Sequence, residues 1–449
     1  MFDLVVAGRL VTPAGLIDAG WIAVSGGSIA AIGCGERPSA ADVIDYGDAF
    51  VLPGIVDGQT HAGSQIGFAG MAPTTRAAVI GGVTTIVDMP YDHPTPVTTA
   101  AVLAEKVAAI DRLAVCDVAL YGTVPREPDL GDVRDLMAGG VAAFKISSFE
   151  AHPDRFPRIG NAAALVLLDA LATSDLPLGL HNEDQEIVAA TTTRFKAAGL
   201  VGPEFHAPSR PPVAELAATA TFMELGAASG GHAHIVHISL ADGFELVTDY
   251  RVRGHRATAE MCVHYLTFDA EVDMQRWGGR LKVNPPIRAG ERERLWQVLE
   301  DGGVAFVSSD HSAWPLARKD VTSIFDAAAG MPGLETLLPA FFTAAAARKG
   351  VEAAAELTAD YLCDRPARFF GLSRKGRLAP GFDADLTVLK PGDHVFDAST
   401  APEGAGWSCY DGATFTGMPT ATYVRGRRVW DGKQVAADAV GHGRFVRRG

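Results

Sequence analysis

Three histidines, an aspartate and a lysine stand where short apolar runs of this sequence end. "LPGIVDGQTH" (52–61) closes on Asp57, Gln59 and His61, and "AAFKIS" (142–147) carries Lys145. "LPLGLHN" (176–182) carries His181 near its end, "AHIVHIS" (233–239) holds His237, and "GGVAFVSSDH" (302–311) carries Asp310 near its end. Imidazole and carboxylate together suit zinc and neighbouring divalent metals. Lysine is the odd member, because an ammonium cannot ligate a cation. Carboxylation by carbon dioxide would remove its charge and give a carbamate whose two oxygens can bridge two ions. Such a site generates a nucleophilic hydroxide near neutral pH. Asp310 would act as general base and pass the proton to a leaving nitrogen.

Taken singly, each residue has an ordinary structural reading. A strand-end histidine is usually a hydrogen-bonded fixture, a lysine after a strand snorkels to solvent, and an aspartate in "SSDHS" caps a helix. Their shared placement at strand ends is what argues for a site. His234, three residues before His237, falls on the opposite face of a regular strand and reads as structural. His93, His264 and His311 are weaker candidates. Gln59 holds the place where a second histidine would complete a His-x-His pair with His61.

These residues need a scaffold that gathers strand ends. Eight segments read as strands: 52–58, 83–90, 115–124, 141–148, 176–182, 233–239, 256–264 and 302–311. Ala-rich stretches at helical spacing, such as "TTRAAVIGG" and "NAAALVLLDALATSD", separate most of them. Continuously apolar strands alternating with helices predict an α/β fold, a (β/α)8 TIM barrel with its active site at the strand C-termini. The stretch 191–232 is long for one connection and is expected to hold extra helix. Residues 1–50 and 376–449 read instead as short strands punctuated by Gly and Pro. The expected organisation is a small β-sandwich domain from residues 1–52 and 374–449, beside a barrel of residues 53–373.

With 449 residues, 48% of them hydrophobic and 20% charged, the chain can build a large core. A net charge of −14 leaves no basic surface for nucleic acid. No run approaches the length of a membrane span, and the N-terminus lacks a signal-peptide pattern. Five scattered cysteines without a C-x-x-C pair read as reduced thiols, which places the protein in the cytoplasm.

On these motifs the chain resembles the cyclic amidohydrolases: dihydropyrimidinase, hydantoinase, allantoinase and dihydroorotase. "LPGIVDGQTH" looks like their P-G-x-x-D-x-H-x-H opening, "AAFKIS" like their carboxylated-lysine strand, and "LHNEDQEI" like their H-A-E-N segment. "AEMCVHYLTF" resembles E-x-C-P-H-Y-L, and "KVNPPIR" and "VSSDHS" resemble the substrate loop and the last aspartate. The resemblance implies one or two divalent metals, most often zinc, bridged by a carbamate on Lys145. His61, Lys145, Asp310 and the residue at 59 would hold one metal; Lys145, His181 and His237 would hold the other. It also implies hydrolytic opening of a cyclic amide such as a ureide, hydantoin or imide, and a homotetramer or dimer.

Within that group, "SRPPVAELAATATF" and "SCYDGATFTGMPTATYVRGRRVWDG" are most similar to allantoinase. Dihydroorotases carry an arginine where Gly63 stands, and dihydropyrimidinases a tyrosine where Glu150 stands. Asn284, in the matching loop, is expected to contact the ring amide, and Glu150 is a further substrate-binding candidate. Gln59 leaves three outcomes open: two metals with a weakened first site, a one-metal hydrolase with an unusual cyclic amide substrate, or a catalytically silent scaffold like the dihydropyrimidinase-related proteins.

Overall fold

The structure is a computed structural model and describes residues 1–400 and 405–449. Four strands open the chain: β1 (Phe2–Thr12), β2 (Gly15–Ser25), β3 (Ser28–Cys34) and β4 (Ala40–Pro53). Nine short ones follow: β5 (Ile55–Thr60), β6 (Val83–Asp88), β7 (Asp117–Gly122), β8 (Ala143–Ser147), β9 (Pro177–His181), β10 (His232–Ile235), β11 (Ala257–Ala259), β12 (Met261–Cys262) and β13 (Val307–Ser308). The chain ends with β14 (Leu386–Val395), β15 (Thr414–Val424) and β16 (Arg427–Trp430).

Strands from the two ends of the chain pair in one mixed seven-stranded sheet, in the order β16-β15-β14-β4-β1-β2-β3. The join is β14 antiparallel to β4, with Leu386 opposite Pro53 and Leu389 opposite Phe50. One apolar face of this sheet forms its own core around Val6, Ile22, Val51, Leu386 and Tyr423.

The middle of the chain forms a curled parallel sheet, in the order β11-β10-β9-β8-β7-β6-β5. Every residue of β5, β6, β7 and β8 is buried, as strands covered on both faces must be. Helices occupy the connections, among them Met71–Ile80, Asn161–Leu171 and Pro212–Ser229. The last of these, with Gln185–Ala197, supplies the extra helix expected in 191–232. Beyond β11, β12 runs parallel to β13, with Met261 opposite Val307. A further parallel bridge joins Thr60 to His311 and returns the run to β5.

The eight segments expected as strands each contain one, with two changes. Leu52 and Pro53 belong to β4, so the first curled-sheet strand starts at Ile55. The 256–264 segment breaks at Glu260, whose N–H bonds Ile235 O at 3.0 Å and whose carbonyl accepts from Ile238 N at 3.0 Å. Among the described residues, no helix is long and apolar enough to cross a membrane.

Candidate active site

His181 ends β9 and His237 lies just beyond β10, which stops at Ile235. The two rings meet edge to face, with His181 Nδ1 and His237 Nε2 3.1 Å apart. With Zn–N bonds of about 2.0–2.1 Å, two corners of a ligand tetrahedron stand about 3.3 Å apart. The pair is therefore spaced to share one ion. Burial, then the charge of nearby Lys145, holds the His237 imidazole neutral, the form that ligates.

His181 is braced from behind. Its Nε2 meets Glu183 Oε2 at 2.8 Å, and Arg210 Nη1 donates to the same oxygen at 2.5 Å. Burial alone would raise the Glu183 carboxyl, but Arg210 and then His181 hold it well below the usual carboxylate range. A carboxylate on the far nitrogen fixes the tautomer and orientation of a ligating histidine. Asp184 then caps the helix Gln185–Ala197 by accepting from the N–H groups of Glu186 and Ile187.

Asp310 and His61 form a second pair, with His61 Nε2 3.4 Å from Asp310 Oδ1. Gln59 Nε2 donates to the same oxygen at 2.9 Å. Burial pushes Asp310 up, but the hydrogen bond and charge of His61, with Lys145 and His264, leave it below the ordinary value. Asp57 positions this corner from beneath. Its carboxylate accepts from Ser309 N (2.8 Å), Ser309 Oγ (2.6 Å) and Thr60 Oγ1 (2.6 Å), tying β5 to the turn before Asp310.

Lys145 is buried and makes no ion pair among the described residues. Burial lowers it to about 8, against the opposing charges of Asp310, Glu260 and Cys262. A larger share of its amine is therefore free near neutral pH than for an exposed lysine. Near it, polar atoms are buried without hydrogen-bond partners among the described residues: Gln59 Oε1, His237 Nδ1, both Glu260 oxygens and His264 Nε2; Asn284 Oδ1 is another such atom. Unsatisfied buried atoms are scarce in folded proteins. Their concentration here, with neutral imidazoles and an ionised aspartate, fits a divalent metal centre.

His237 and Asp310 share a backbone feature: φ is +43° at the first and +47° at the second. Side chains rarely adopt this conformation, and it costs of order 1–3 kcal/mol each. At position 237 it has a consequence for faces. Regular alternation stops with β10 at Ile235, and this turn sets His237 against His181 while His234 meets Thr258. His234 still has a packing role, with Nδ1 on Thr258 Oγ1 at 2.9 Å and its ring against Phe306 and Phe369.

Gly63 has no room for a side chain, since a Cβ there would stand 1.9 Å from Asp92 Oδ1. Asp92 is itself tied down, with Lys106 Nζ at 2.7 Å from its other oxygen and at 2.6 Å from Asp88. An arginine at 63, the feature of dihydroorotases, would require Asp92 to shift. Glu150 pairs its carboxylate with exposed Arg126, while its N–H donates to Gln185 Oε1 at 2.7 Å.

Residues 50–429 match the amidohydrolase family. The chain belongs to that family. This amidohydrolase is 35% identical over 452 residues to the allantoinase of Rubrobacter xylanophilus, covering 99% of this chain and 98% of that one. It is 32% identical to the L-hydantoinase of Paenarthrobacter aurescens, covering 100% of this chain and 98% of that one. Among solved structures, L-hydantoinase (dihydropyrimidinase) from Arthrobacter aurescens aligns with a TM-score of 0.92 at 30% identity, over 100% of both chains. A D-hydantoinase aligns with a TM-score of 0.91 at 24% identity, over 100% of this chain and 99% of that one, a likeness of fold.

Of the residues expected from sequence, the amidohydrolase brings His181 to His237, and Gln59 and His61 to Asp310, with Lys145 acting electrostatically on both groups. Sequence reasoning missed Glu183 and Arg210. Glu183 had a signal, two residues past a strand-end histidine, where a brace can fold back. Arg210 had none, because it reaches Glu183 from 27 residues away.

Proposed function

We propose that this chain is a metal-dependent hydrolase that opens a cyclic amide ring, with allantoin and 5-substituted hydantoins as first substrates. The observation that carries this reading is the convergence of two ligand pairs, His181 with His237 and His61 with Asp310, on a buried unpaired Lys145. The names of the full-length relatives, allantoinase and L-hydantoinase, support it. In this reading residues 53–373 are a (β/α)8 barrel, and 1–52 with 374–449 are a small β domain. The chain works as a dimer or tetramer in the cytoplasm.

Zinc is the divalent metal best matched to these nitrogen and oxygen donors. His61, Asp310 and Gln59 would hold one ion, His181 and His237 the other, with Lys145 between them as a carbamate. Carbamate formation needs the free amine: Nζ attacks carbon dioxide and loses a proton, which lowered basicity favours. Bound there, the metal would polarise the scissile carbonyl and acidify water at neutral pH. The protein's own residues do the rest. Asn284, whose Oδ1 is unpartnered, accepts from the ring N–H and sets its orientation. Asp310 takes a proton on its carboxylate and returns it to the ring nitrogen as the C–N bond breaks. The Glu183–Arg210 brace keeps His181 aimed throughout. Glu150, already paired with Arg126, contributes less to substrate binding than Asn284.

The test is a panel of allantoin, 5-substituted hydantoins, dihydrouracil and dihydroorotate, with protein produced in zinc and bicarbonate. Turnover of a ureide or hydantoin is expected. No hydrolysis across the panel by metal-loaded protein overturns the reading in favour of a silent scaffold.

Gln59 is read as a weak ligand. Its Nε2 is committed to Asp310, while Oε1 is buried and unpartnered. An amide oxygen is a poorer donor to zinc than imidazole. Gln59→His is expected to tighten the more weakly held ion by about 10–100-fold, the size of effect seen on perturbing a metal's surroundings. Chelator competition with elemental analysis reads this directly. Unchanged affinity removes any special role for Gln59.

A further inference from the structure

Two buried lysines are held by no carboxylate. Lys319 is fully buried and Lys282 almost so, yet neither makes an ion pair among the described residues. Buried Lys106 and Lys375, by contrast, each meet at least two aspartates. Lys319 Nζ donates to the carbonyls of Lys282 (3.0 Å), Ala328 (2.7 Å) and Gly330 (2.6 Å). Lys282 Nζ donates to those of Ile324 (2.7 Å) and Ala327 (2.6 Å). Gly330 N–H returns to Lys282 O at 2.9 Å.

The two loops joined in this way carry Asp310 and Asn284. One leaves Asp310, makes an excursion, and returns where Ser312 N–H bonds Met331 O at 3.0 Å and Gly333 N–H bonds His311 Nδ1 at 3.1 Å. The other places Asn284 two residues after Lys282. An ammonium is the side-chain group with three donors on one atom, so it can collect three carbonyls at once. Without it the Ala328 and Gly330 carbonyls would lose this donor, and the loops would be left with only the Gly330 N–H and Lys282 Nζ bonds between them.

We propose that Lys319 is a positioning residue for substrate: its ammonium fixes the Asn284 loop against the loop that follows Asp310, and so sets where the ring amide sits relative to the general base. This inference rests on the cyclic-amide reading above. Lys319→Met keeps the aliphatic stem and removes the donors. With the best ring substrate of the wild type, KM is expected to rise about tenfold or more while kcat changes less than about threefold. Metal content should be unchanged, and Lys319→Gln, which keeps two donors, should fall between. An unchanged KM overturns the proposal, whatever happens to Tm. Loss of metal, or of kcat at constant KM, also overturns it, since Lys319 would then serve the metal centre.

Should neither variant fold, the wild type supplies the measurement. Burial lowers Lys319 to about 7, so KM should climb as pH rises from about 6 to about 9 and the cation discharges. Lys282, Asp320, Cys409 and the face of Trp407 surround it, and Arg210, Asp326 and Lys196 act on Lys282. Lys282, also lowered to about 7, changes in the same direction. Cys409, pushed up to about 12, stays a thiol and Asp320 stays ionised. A flat KM over this range overturns the proposal. A wild type that hydrolyses no cyclic amide overturns the underlying reading instead, and that result is in hand before any variant is made.

Discussion

Replacing Asp310 by asparagine is expected to lower kcat by about 10²–10⁴-fold, the usual contribution of a positioned general acid–base group. The substitution is nearly isosteric, and asparagine tolerates the left-handed backbone at φ +47° as well as aspartate does. The turn that Asp57 ties to Ser309 is untouched, so the fold should survive. What disappears is a carboxylate that His61, Lys145 and His264 hold ionised despite its burial. An amide cannot accept the proton and return it to the leaving nitrogen. Metal bound by His181 and His237 should remain, as elemental analysis would show. Steady-state kinetics then decide the matter: full activity in metal-loaded Asp310→Asn protein would exclude Asp310 as the base.

Lys145→Met is expected to cost both metal and activity, by more than the roughly 10–100-fold that loss of an outer partner causes. Lys145 is buried with no carboxylate beside it close enough to form an ion pair. As an ammonium it would repel the cations that the surrounding ligands attract. As a carbamate it would complete both ligand sets. Methionine preserves the packed stem, so in metal-free protein thermal stability should hold or improve as an isolated buried cation is removed. Protein prepared with isotopically labelled bicarbonate should give a carbamate carbon signal in the wild type and none in the variant. A variant that keeps its metal and its turnover would sink the bridging role of Lys145.

The histidines show where local pattern is enough and where it fails. His61, His181 and Asp310 were legible because each ends an apolar run, and the ends of parallel strands gather at one place in a curled sheet. His237 was legible for the same reason, and His234 packs against Thr258, Phe306 and Phe369 as the structural residue its spacing predicts. β10 ends at Ile235, and it is the left-handed turn at His237 that sets its ring against His181. Glu150 was singled out by its distance from Lys145 along the chain, yet its carboxylate goes to Arg126. Spacing along a loop does not tell which way a side chain points.

What the sequence determined by itself is the set of donor types and the elements that carry them. The strand segments, the helices between them, the pairing of the two chain ends and the glutamine in place of a histidine can all be read from residue type and period. These properties are local, set by apolar runs, turn residues and side-chain chemistry. Only the tertiary structure decided which donors meet and what braces them. Asp57 meets Ser309 across 252 residues, Gln59 meets Asp310 across 251, and Arg210 reaches Glu183 across 27. The lysine cages around 282 and 319 are built almost wholly from backbone carbonyls, which every residue possesses. No side-chain pattern marks such a partner, and only the folded path of the chain brings those oxygens to one ammonium.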